Sequence, residues 1–298
     1  MKETTDLYGP VCADIWREAL VLPGHGSLLE SLAFEVGRFF DVAPEEALRR
    51  MEDHWAEGRI RASRRFPRNP SPERLKDYYS DDHGVYAGMY WHSLVPDRYA
   101  LHAVEGLHAV QRFAPGRRVF ELGHGVGSAG LLFARHGFDV TLGEISKRAR
   151  ACAEQRFRTR GLGARFLDLT RESPEEGAYD AAVSFDVLEH IPCPLPEIEK
   201  LRRCLKPGGL LVLNVAFGRD PGNPEHILSS RRGVLERIRA MGFERLAEPT
   251  LLVYRKRECA GFMRRSVNRL QDYWDAWTGD VCGRWPALRP LLRPYRSA

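Results

Sequence analysis

Hydrophobic and polar positions divide the chain of 298 residues into a helical first part and an alternating β/α part. Apolar residues recur at helical spacing over 27–39 and predict a helix there. Asp41 as a cap and Pro44 in the first turn predict a second helix over 41–51. Three prolines and clustered arginines over 64–72 are typical of a connector. We therefore expect a short helical unit that docks on the rest of the chain.

The second part contains short apolar runs that alternate with helical segments. Helices are predicted over 99–112 and 230–241, the latter ending at Gly242 as a C-cap. The first strand begins at Val119 and runs into a glycine-rich turn. The other runs predicted as strands are 138–143, 164–167, 179–185, 210–215, 243–246 and 251–254. Strands that alternate with helices predict an α/β fold built on a parallel sheet.

Glycines stand at alternate positions of the turn after the first predicted strand, at Gly123, Gly125 and Gly127. Because they lack Cβ atoms, a ligand can approach the backbone closely. The helix that follows offers N–H groups at its N-terminus, and open α/β sheets bind nucleotide-like ligands in such a crevice. The spacing is G-x-G-x-G, whereas dinucleotide-binding enzymes have G-x-G-x-x-G. This difference argues against an NAD-dependent dehydrogenase.

Acidic residues follow the next three predicted strands. Glu144 follows the second strand, where a carboxylate can accept hydrogen bonds from ribose hydroxyls. Asp168 follows the third strand and can accept a hydrogen bond from an adenine amino group. Asp186 follows the fourth strand, and Lys206-Pro207-Gly208-Gly209 precedes the fifth. In this order, the positions suit a ligand that carries ribose and adenine.

Together, these features resemble the motifs of class I S-adenosylmethionine (SAM) methyltransferases, particularly the quinone-biosynthesis and small-molecule group. The resemblance covers about Arg117 to Glu258, with Glu121 where the family has Asp and His124 where Cys is common. It implies a Rossmann-like, seven-stranded, mostly parallel sheet with helices on both faces and an antiparallel pair at its end. A helical N-terminal extension and a C-terminal tail would flank this sheet. The resemblance also implies SAM as the cofactor and S-adenosylhomocysteine as the product.

The same resemblance implies which residues contact the cofactor. The three glycines would border the methionine part of SAM, and Glu144 would hold the ribose. Asp168 would hold the adenine, with Leu169 as an apolar wall. Glu121 would orient the turn or a water near the methionine ammonium. The expected cofactor-binding residues are Glu121, Gly123, Gly125, Gly127, Glu144, Ile145, Asp168, Leu169 and Asp186.

Three segments follow from this interpretation: a helical extension (1–75), a SAM-binding domain (76–258) and a C-terminal extension (259–298). In methyltransferases of this type, the segment before the first sheet helix folds over the cofactor, so residues 76–98 are predicted to form a lid. Its aromatic residues suit a flat or apolar acceptor. The expected substrate-binding residues are Tyr78, Tyr86, Tyr90 and His92. The alternative is an aromatic loop that seals the edge of the core.

Two histidines are candidates for removing a proton from the acceptor. His190 follows the fourth strand and His226 follows the fifth, and a neutral imidazole is a suitable base near neutral pH. In relatives, the histidine of Leu-Glu-His-Ile-Pro also ties its loop to the sheet, which is the alternative role for His190. We predict no metal, because methyl transfer from SAM requires none. The alternative is that Glu189 and Asp186 bind a divalent cation.

Composition and charge narrow the partners and the location. The net charge is +5, and we expect the acidic N-terminal part and the basic C-terminal tail to pack near each other. No RNA-binding pattern is present, so we expect no nucleic-acid partner. No apolar run reaches membrane-spanning length, the N-terminus lacks signal-peptide features, and the six cysteines contain no Cys-x-x-Cys pair. These features predict a cytoplasmic protein, which could form a homodimer.

The leading interpretation is a methyltransferase that acts on a small molecule, such as a natural-product or quinone-like intermediate. O-methylation is favoured, while N- and C-methylation stay open. A peptide or protein methyltransferase and a SAM-binding protein without transferase activity are the alternatives. Asp186-Val187-Leu188 stands where many nucleic-acid and protein amide methyltransferases carry Asn-Pro-Pro-aromatic. This difference argues against methylation of bases or amides.

Overall fold

A computed structural model describes residues 9–67, 71–94, 99–217, 224–228, 231–246 and 251–257. Within these residues, the helices are α1 (Gly9–Leu20), α2 (Leu28–Phe40), α3 (Pro44–Arg65), α4 (Pro72–Tyr79), α5 (Asp82–Leu94), α6 (Tyr99–Phe113), α7 (Ser128–Arg135), α8 (Lys147–Thr159), α9 (Pro194–Cys204) and α10 (Arg231–Ala240). The strands are β1 (Arg118–Leu122), β2 (Asp139–Glu144), β3 (Arg165–Asp168), β4 (Tyr179–Phe185), β5 (Leu205–Asn214), β6 (Phe243–Arg245) and β7 (Leu252–Lys256). None of the described helices is both long and apolar enough to cross a membrane. The predicted C-terminal extension lies outside the described residues.

The strands form one sheet in the order β3-β2-β1-β4-β5-β7-β6. Strands β1 to β5 are parallel, whereas β7 runs antiparallel to both β5 and β6. This topology confirms the predicted seven-stranded, mostly parallel α/β sheet with antiparallel strands at one end. The strand order reverses between β1 and β4, and open α/β sheets bind ligands at the carboxyl ends of strands beside such a reversal.

Successive residues of the strands pack on opposite faces of the sheet, as strand geometry requires. Val119 packs in a core with residues of α1, α6 and α7, whereas Phe120 packs in a second core with residues of α9 and α10. Strand β4 is buried along its whole length. Parallel strands covered on both faces are apolar throughout, which is why the sequence shows them as continuous apolar runs. The predicted helices on both faces are confirmed.

The N-terminal helices extend further than the sequence pattern indicates. Helix α1 was not predicted, and α3 continues from Pro44 to Arg65, past the predicted end at Met51. Its first half carries ion pairs at i, i+3 and i, i+4 spacing, such as Glu46 with Arg49 and Arg50. Pairs of this kind stabilise a helix whose exposed faces carry little apolar periodicity.

Asp41 does not cap α3, contrary to the sequence prediction. It ends α2 in the left-handed conformation (φ 54°), and its N–H group bonds to the carbonyl of Gly37. Ala43 takes the capping position of α3 without a side-chain hydrogen bond. Asp is one of the few residues other than glycine that tolerate the left-handed region, so the same residue type suits the end of one helix or the start of another.

The described part of the predicted lid segment, 76–94, contains the end of α4 and all of α5, so it is helical and not the loop of the alternative. The Ser71 hydroxyl accepts a hydrogen bond from the N–H of Arg74 and begins α4. Helix α5 has apolar residues around much of its circumference, since it packs against α2, α3, α6 and α8. A helix buried on several sides lacks a single apolar stripe, so its periodicity is weak in the sequence.

A buried cluster of one carboxylate and two guanidinium groups joins α2 to α8. Glu35 accepts hydrogen bonds from Nε of Arg156 at 3.2 Å and from Nη1 of Arg160, and all three side chains are at most 2% exposed. Nη1 of Arg156 also donates to the carbonyl of Val126 and to the hydroxyl of Ser128, both at 2.8 Å. The N-terminal extension is therefore bonded to the chain that enters α7.

We expect the substitution Glu35→Gln to lower the free energy of unfolding by about 3–5 kcal/mol, because it leaves two buried guanidinium groups without a counter-charge. Asp14→Asn is the control. It breaks the exposed Asp14–Arg17 pair and should cost less than about 1 kcal/mol. Denaturant unfolding measures both variants. A Glu35→Gln cost no larger than that of Asp14→Asn would contradict the role given to this cluster.

Candidate active site

The turn between β1 and α7 is held by the neighbouring strand β2. The N–H groups of Gly123 and His124 both donate to the carbonyl of Gly143, at 2.8 and 3.3 Å. Gly123, Gly125 and Gly127 have φ values of 71°, 52° and 78°. These values lie in the left-handed region that favours glycine, so the three glycines are required by the backbone path itself.

The same turn is tightly packed. A Cβ atom on Gly123 would lie 2.6 Å from Val187, and one on Gly127 would lie 2.9 Å from the Cβ of Ala153. A Cβ atom on Gly125 would lie 3.2 Å from the imidazole of His92 in α5. Helix α5 therefore covers the middle of the glycine turn.

Glu144 lies at the carboxyl end of β2, beside the glycine turn. Its carboxylate accepts hydrogen bonds from the N–H groups of Gly125 at 2.9 Å, Ile145 at 2.8 Å and Ser146 at 2.9 Å. Burial raises its pKa, although these three hydrogen bonds act in the opposite direction. The turn and the end of β2 thus form one hydrogen-bonded unit.

Glu121 is a buried carboxyl group near the carboxyl end of β1, just before the glycine turn. Burial, followed by the charge of Glu144, raises its pKa to about 8. Its Oε2 atom has no hydrogen-bond partner among the described residues. A carboxyl group whose pKa lies this close to neutral can respond to a positively charged group placed beside it.

Asp168 lies at the carboxyl end of β3, next to Glu144. Its carboxylate accepts hydrogen bonds from the N–H and hydroxyl of Thr170, at 3.0 and 2.6 Å, and from Arg150 at 3.1 Å. The Thr170 hydroxyl is the main reason that the pKa of Asp168 is lowered. Arg150 also donates to the carbonyl of Glu144, so one guanidinium group positions both acidic residues. Leu169 packs over Gly143 in the same crevice.

Asp186 follows β4 and has a left-handed backbone (φ 52°), which is uncommon outside glycine. Its Oδ1 atom accepts a hydrogen bond from the amide of Asn214 at 2.5 Å, and that amide also contacts Nδ1 of His102 at 2.7 Å. Asn214 ends β5, so a side chain at the end of the neighbouring strand holds Asp186 in place.

Glu189, His190 and His226 form a cluster beyond the ends of β4 and β5. Their potential ligand atoms all lie within 4.8 Å of one another, and the two imidazole rings are 5.1 Å apart. Burial, followed by the charge of Asp186, raises the pKa of Glu189 to about 7. Burial, followed by the charge of His226, lowers the pKa of His190 to about 3. One carboxyl group and two imidazoles can exchange a proton, and the same donor set can hold a divalent cation.

Two tyrosines at the end of α4 stand beside this cluster. The hydroxyl of Tyr78 donates a hydrogen bond to Glu225, one residue before His226. The ring of Tyr79 meets that of His190 edge to face, with centroids 6.2 Å apart. Burial is the main reason that the pKa of Tyr78 is raised, followed by the charge of Glu225. The α4 helix thus contacts His190 and Glu225, the residue before His226.

The other predicted substrate-binding residues lie in different places. Tyr86 is buried between helices, stacked on Phe40 and on His54 at centroid distances of 4.2 and 4.7 Å. Tyr90 stacks on Trp55 of α3 at 5.6 Å. Only His92 borders the glycine turn, where its ring also stacks on Tyr99 at 4.2 Å. Tyr86 and Tyr90 hold the lid to α2 and α3 in this structure.

The family described as "Methyltransferase domain" matches residues 90–266 of the chain. This chain belongs to the class I SAM-dependent methyltransferase family. It is 31% identical over 162 residues to a ubiquinone biosynthesis O-methyltransferase of Xanthomonas campestris, covering 49% of this chain and 65% of the relative. It is 25% identical over 209 residues to the 2-methyl-6-phytyl-1,4-hydroquinone methyltransferase of Synechocystis, covering 66% of this chain and 60% of the relative. The chain thus spans less than two thirds of either relative.

Among solved structures, the crystal structure of the cyclase SpnF is similar to this methyltransferase-family protein, with 24% identity and a TM-score of 0.49. The match covers 61% of this chain and 75% of SpnF.

SAM is the cofactor of the methyltransferase family, and the crevice of this member fits it. A carboxylate has about four acceptor positions, and Glu144 and Asp168 each use three of them. Each therefore keeps a lone pair for a ribose hydroxyl or an adenine amino group. The free Oε2 atom of Glu121 suits the ammonium end of the cofactor. Both polar ends of SAM thus have partners of the right kind.

Sequence reasoning did not give roles to Tyr79, Arg150 or Asn214 in this methyltransferase. Tyr79 stands next to Tyr78 in a run of aromatic residues, and no spacing distinguishes the two. Arg150 lies in α8, 18 residues before its partner Asp168, and Asn214 lies 28 residues after Asp186. Partners at such separations become visible only when the strand ends meet at one edge of the sheet.

We expect Gly125→Ala to weaken SAM binding at least about tenfold, because a Cβ atom strains the left-handed backbone and presses on His92. Gly161→Ala is the matched control, since Gly161 also has a positive φ of 64° but has nothing within 4 Å of its Cβ position. Calorimetric titration with SAM measures both variants. Equal affinity in the two variants would mean that the cofactor does not approach the turn.

Proposed function

We propose that this protein transfers the methyl group of SAM to a hydroxyl group of a small aromatic acceptor, such as a quinone-like or natural-product intermediate. The observation that carries the proposal is the cluster of Glu189, His190 and His226, which lies beside the cofactor crevice and under the aromatic helix α4. The similarity to O-methyltransferases of ubiquinone biosynthesis supports oxygen as the acceptor atom.

The crevice residues are proposed to bind the cofactor as follows. The glycine turn borders the methionine part, and Glu121 faces its ammonium group. Glu144 and Ile145 hold the ribose, while Asp168 and Leu169 hold the adenine. Asp186, fixed by Asn214, completes the site at the end of β4.

When bound, SAM supplies a methyl group already activated by its positively charged sulfur. The task of the protein is then to align the acceptor with the carbon–sulfur bond, exclude water and accept a proton. Helices α4 and α5 exclude water, since His92 lies against the glycine turn and Tyr78 bonds to Glu225. In-line alignment of the acceptor is supplied by the walls that these helices form.

His190 and His226 are proposed to take the proton from the acceptor hydroxyl. Because the pKa of His190 is lowered to about 3, its imidazole is neutral near neutral pH and its ring nitrogen is free to accept a hydrogen bond. Glu189, with a pKa of about 7, is the neighbouring group best matched to receive the proton near neutral pH. The three side chains together provide a path for the proton away from the acceptor.

Release of S-adenosylhomocysteine tests the proposal directly. The purified protein is incubated with SAM and, separately, with catechol, a methylated hydroquinone and 3,4-dihydroxybenzoate, each with and without a chelator. We expect turnover with at least one phenol and no effect of the chelator. Binding of SAM without product from any phenol would support a non-catalytic SAM-binding protein. Loss of turnover with the chelator, restored by Mg²⁺, would assign the three-residue cluster to a cation.

We expect His190→Ala and His226→Ala each to lower kcat by about 10²–10⁴-fold while SAM affinity stays the same, because both act on the acceptor proton. His108→Ala is the matched control, as His108 is exposed on α6. Steady-state kinetics and calorimetry measure the two effects separately. Turnover equal to that of His108→Ala in both variants would show that the base lies elsewhere.

A further inference from the structure

Three buried polar atoms in and beside the cluster of Glu189, His190 and His226 have no hydrogen-bond partner among the described residues. They are the hydroxyl of Tyr79, Nδ1 of His190 and Oε2 of Glu189. Buried polar groups are nearly always hydrogen-bonded in folded proteins, and each exception calls for an explanation. These three unpartnered atoms lie at or next to the edge-to-face contact between Tyr79 and His190. We infer that a polar ligand binds there and supplies the missing hydrogen bonds.

Tyr79 is held firmly in this position. Its ring packs against Tyr78 at a centroid distance of 4.9 Å and against His190 at 6.2 Å. The hydroxyl of Tyr78 is bonded to Glu225, and the guanidinium group of Arg61 lies 5.1 Å from the Tyr78 ring centre. Tyr78 is bonded to Glu225 through its hydroxyl and lies under Arg61 with its ring, so the end of α4 is held in place. The Tyr79 ring therefore has little room to turn its hydroxyl towards solvent.

The surroundings of Tyr79 belong to both halves of the site. Burial is the main reason that its pKa is raised well above the ordinary value, followed by the charges of Glu225, Tyr78, Glu144 and Glu189. Glu144 belongs to the cofactor crevice, whereas Glu225 and Glu189 belong to the acceptor side. Tyr79 lies against His190 and keeps its proton, so its hydroxyl can donate a hydrogen bond.

We propose that Tyr79 is a further catalytic residue, whose hydroxyl donates a hydrogen bond to an oxygen of the acceptor at the boundary between Glu144 and His190. This inference rests on the proposed function and identifies the group that holds the acceptor oxygen near the cofactor. The acceptor hydroxyl has one proton, so it can donate to Nδ1 of His190 or to Oε2 of Glu189, the two other unpartnered atoms. Binding of the acceptor thus gives a partner to the Tyr79 hydroxyl and to one of these two atoms.

The free protein provides the first test, which needs no acceptor. Removing a buried hydroxyl that has no partner should not destabilise the fold, whereas removing one with a partner should. We expect Tyr79→Phe to melt at or above the wild-type temperature. Tyr78→Phe is the matched control, because it breaks the bond to Glu225 and should melt about 2–4 °C lower. Equal destabilisation of the two variants would overturn the proposal.

The second test uses acceptor binding. Catechol is titrated into wild-type protein saturated with S-adenosylhomocysteine, and turnover with SAM is measured in parallel. We expect Tyr79→Phe to lower kcat/KM for catechol about 10- to 100-fold and to weaken catechol binding, while S-adenosylhomocysteine binds as to wild type. Unchanged catechol binding and turnover in Tyr79→Phe would overturn the assignment.

The two proposals fail in different ways. If wild-type protein binds S-adenosylhomocysteine but neither binds nor methylates catechol or a hydroquinone, the proposed acceptor class fails. The melting temperatures of the Tyr79→Phe and Tyr78→Phe variants then still decide whether the Tyr79 hydroxyl is free. If wild-type protein methylates catechol and Tyr79→Phe does so equally well, only the role of Tyr79 fails.

Discussion

The arrangement of the site depends on the hydrogen bonds of the Arg156 guanidinium group. It is fully buried, and it bonds to Glu35 of the N-terminal extension, to the carbonyl of Val126 and to the hydroxyl of Ser128. A buried charge of this kind is stable only when it is paired and hydrogen-bonded, so it admits few alternative positions for the segments it joins. The glycine turn is therefore positioned from two directions, by Gly143 of β2 and by Arg156 of α8.

The same network reaches the lid. The hydroxyl of Ser93 in α5 lies 3.0 Å from that of Ser128, and the indole of Trp16 in α1 donates to the carbonyl of Ser93 at 3.1 Å. Helices that precede the methyltransferase sheet in sequence are thus bonded to the residue at which α7 begins. On the acceptor side, the hydroxyl of Tyr79, Nδ1 of His190 and Oε2 of Glu189 have no partner among the described residues, and on the cofactor side the same holds for Oε2 of Glu121. Unpartnered buried atoms on both sides fit a site that binds two polar ligands, at some cost in stability.

The parts that could be predicted from the sequence are those that depend on neighbouring residues. Gly123, Gly125 and Gly127 are needed for a left-handed turn, and Glu144 and Asp168 end apolar runs, so short patterns reveal both the sheet and the crevice. Glu35 and Arg156 are 121 residues apart, and no local pattern joins them.

Helix α5 was not predicted either, because contacts with four other helices remove its apolar stripe. The sequence also could not show which helix Asp41 caps, because Asp suits both the end and the start of a helix. Its φ of 54° in the structure makes it the end of α2. Within the site, Tyr78 and Tyr79 have the same side chain in adjacent positions, and only the fold gives the first hydroxyl a partner in Glu225 and leaves the second without one in the described part of the chain.

The central claim is that the crevice between β1, β2 and β3 is a SAM site. Calorimetric titration of the purified protein with SAM, with S-adenosylhomocysteine and with NAD tests it most directly. The account predicts micromolar or tighter binding of the first two and none of NAD, because the turn has G-x-G-x-G spacing and Glu121 suits an ammonium group. Binding of NAD, or binding of neither SAM nor S-adenosylhomocysteine, would contradict it.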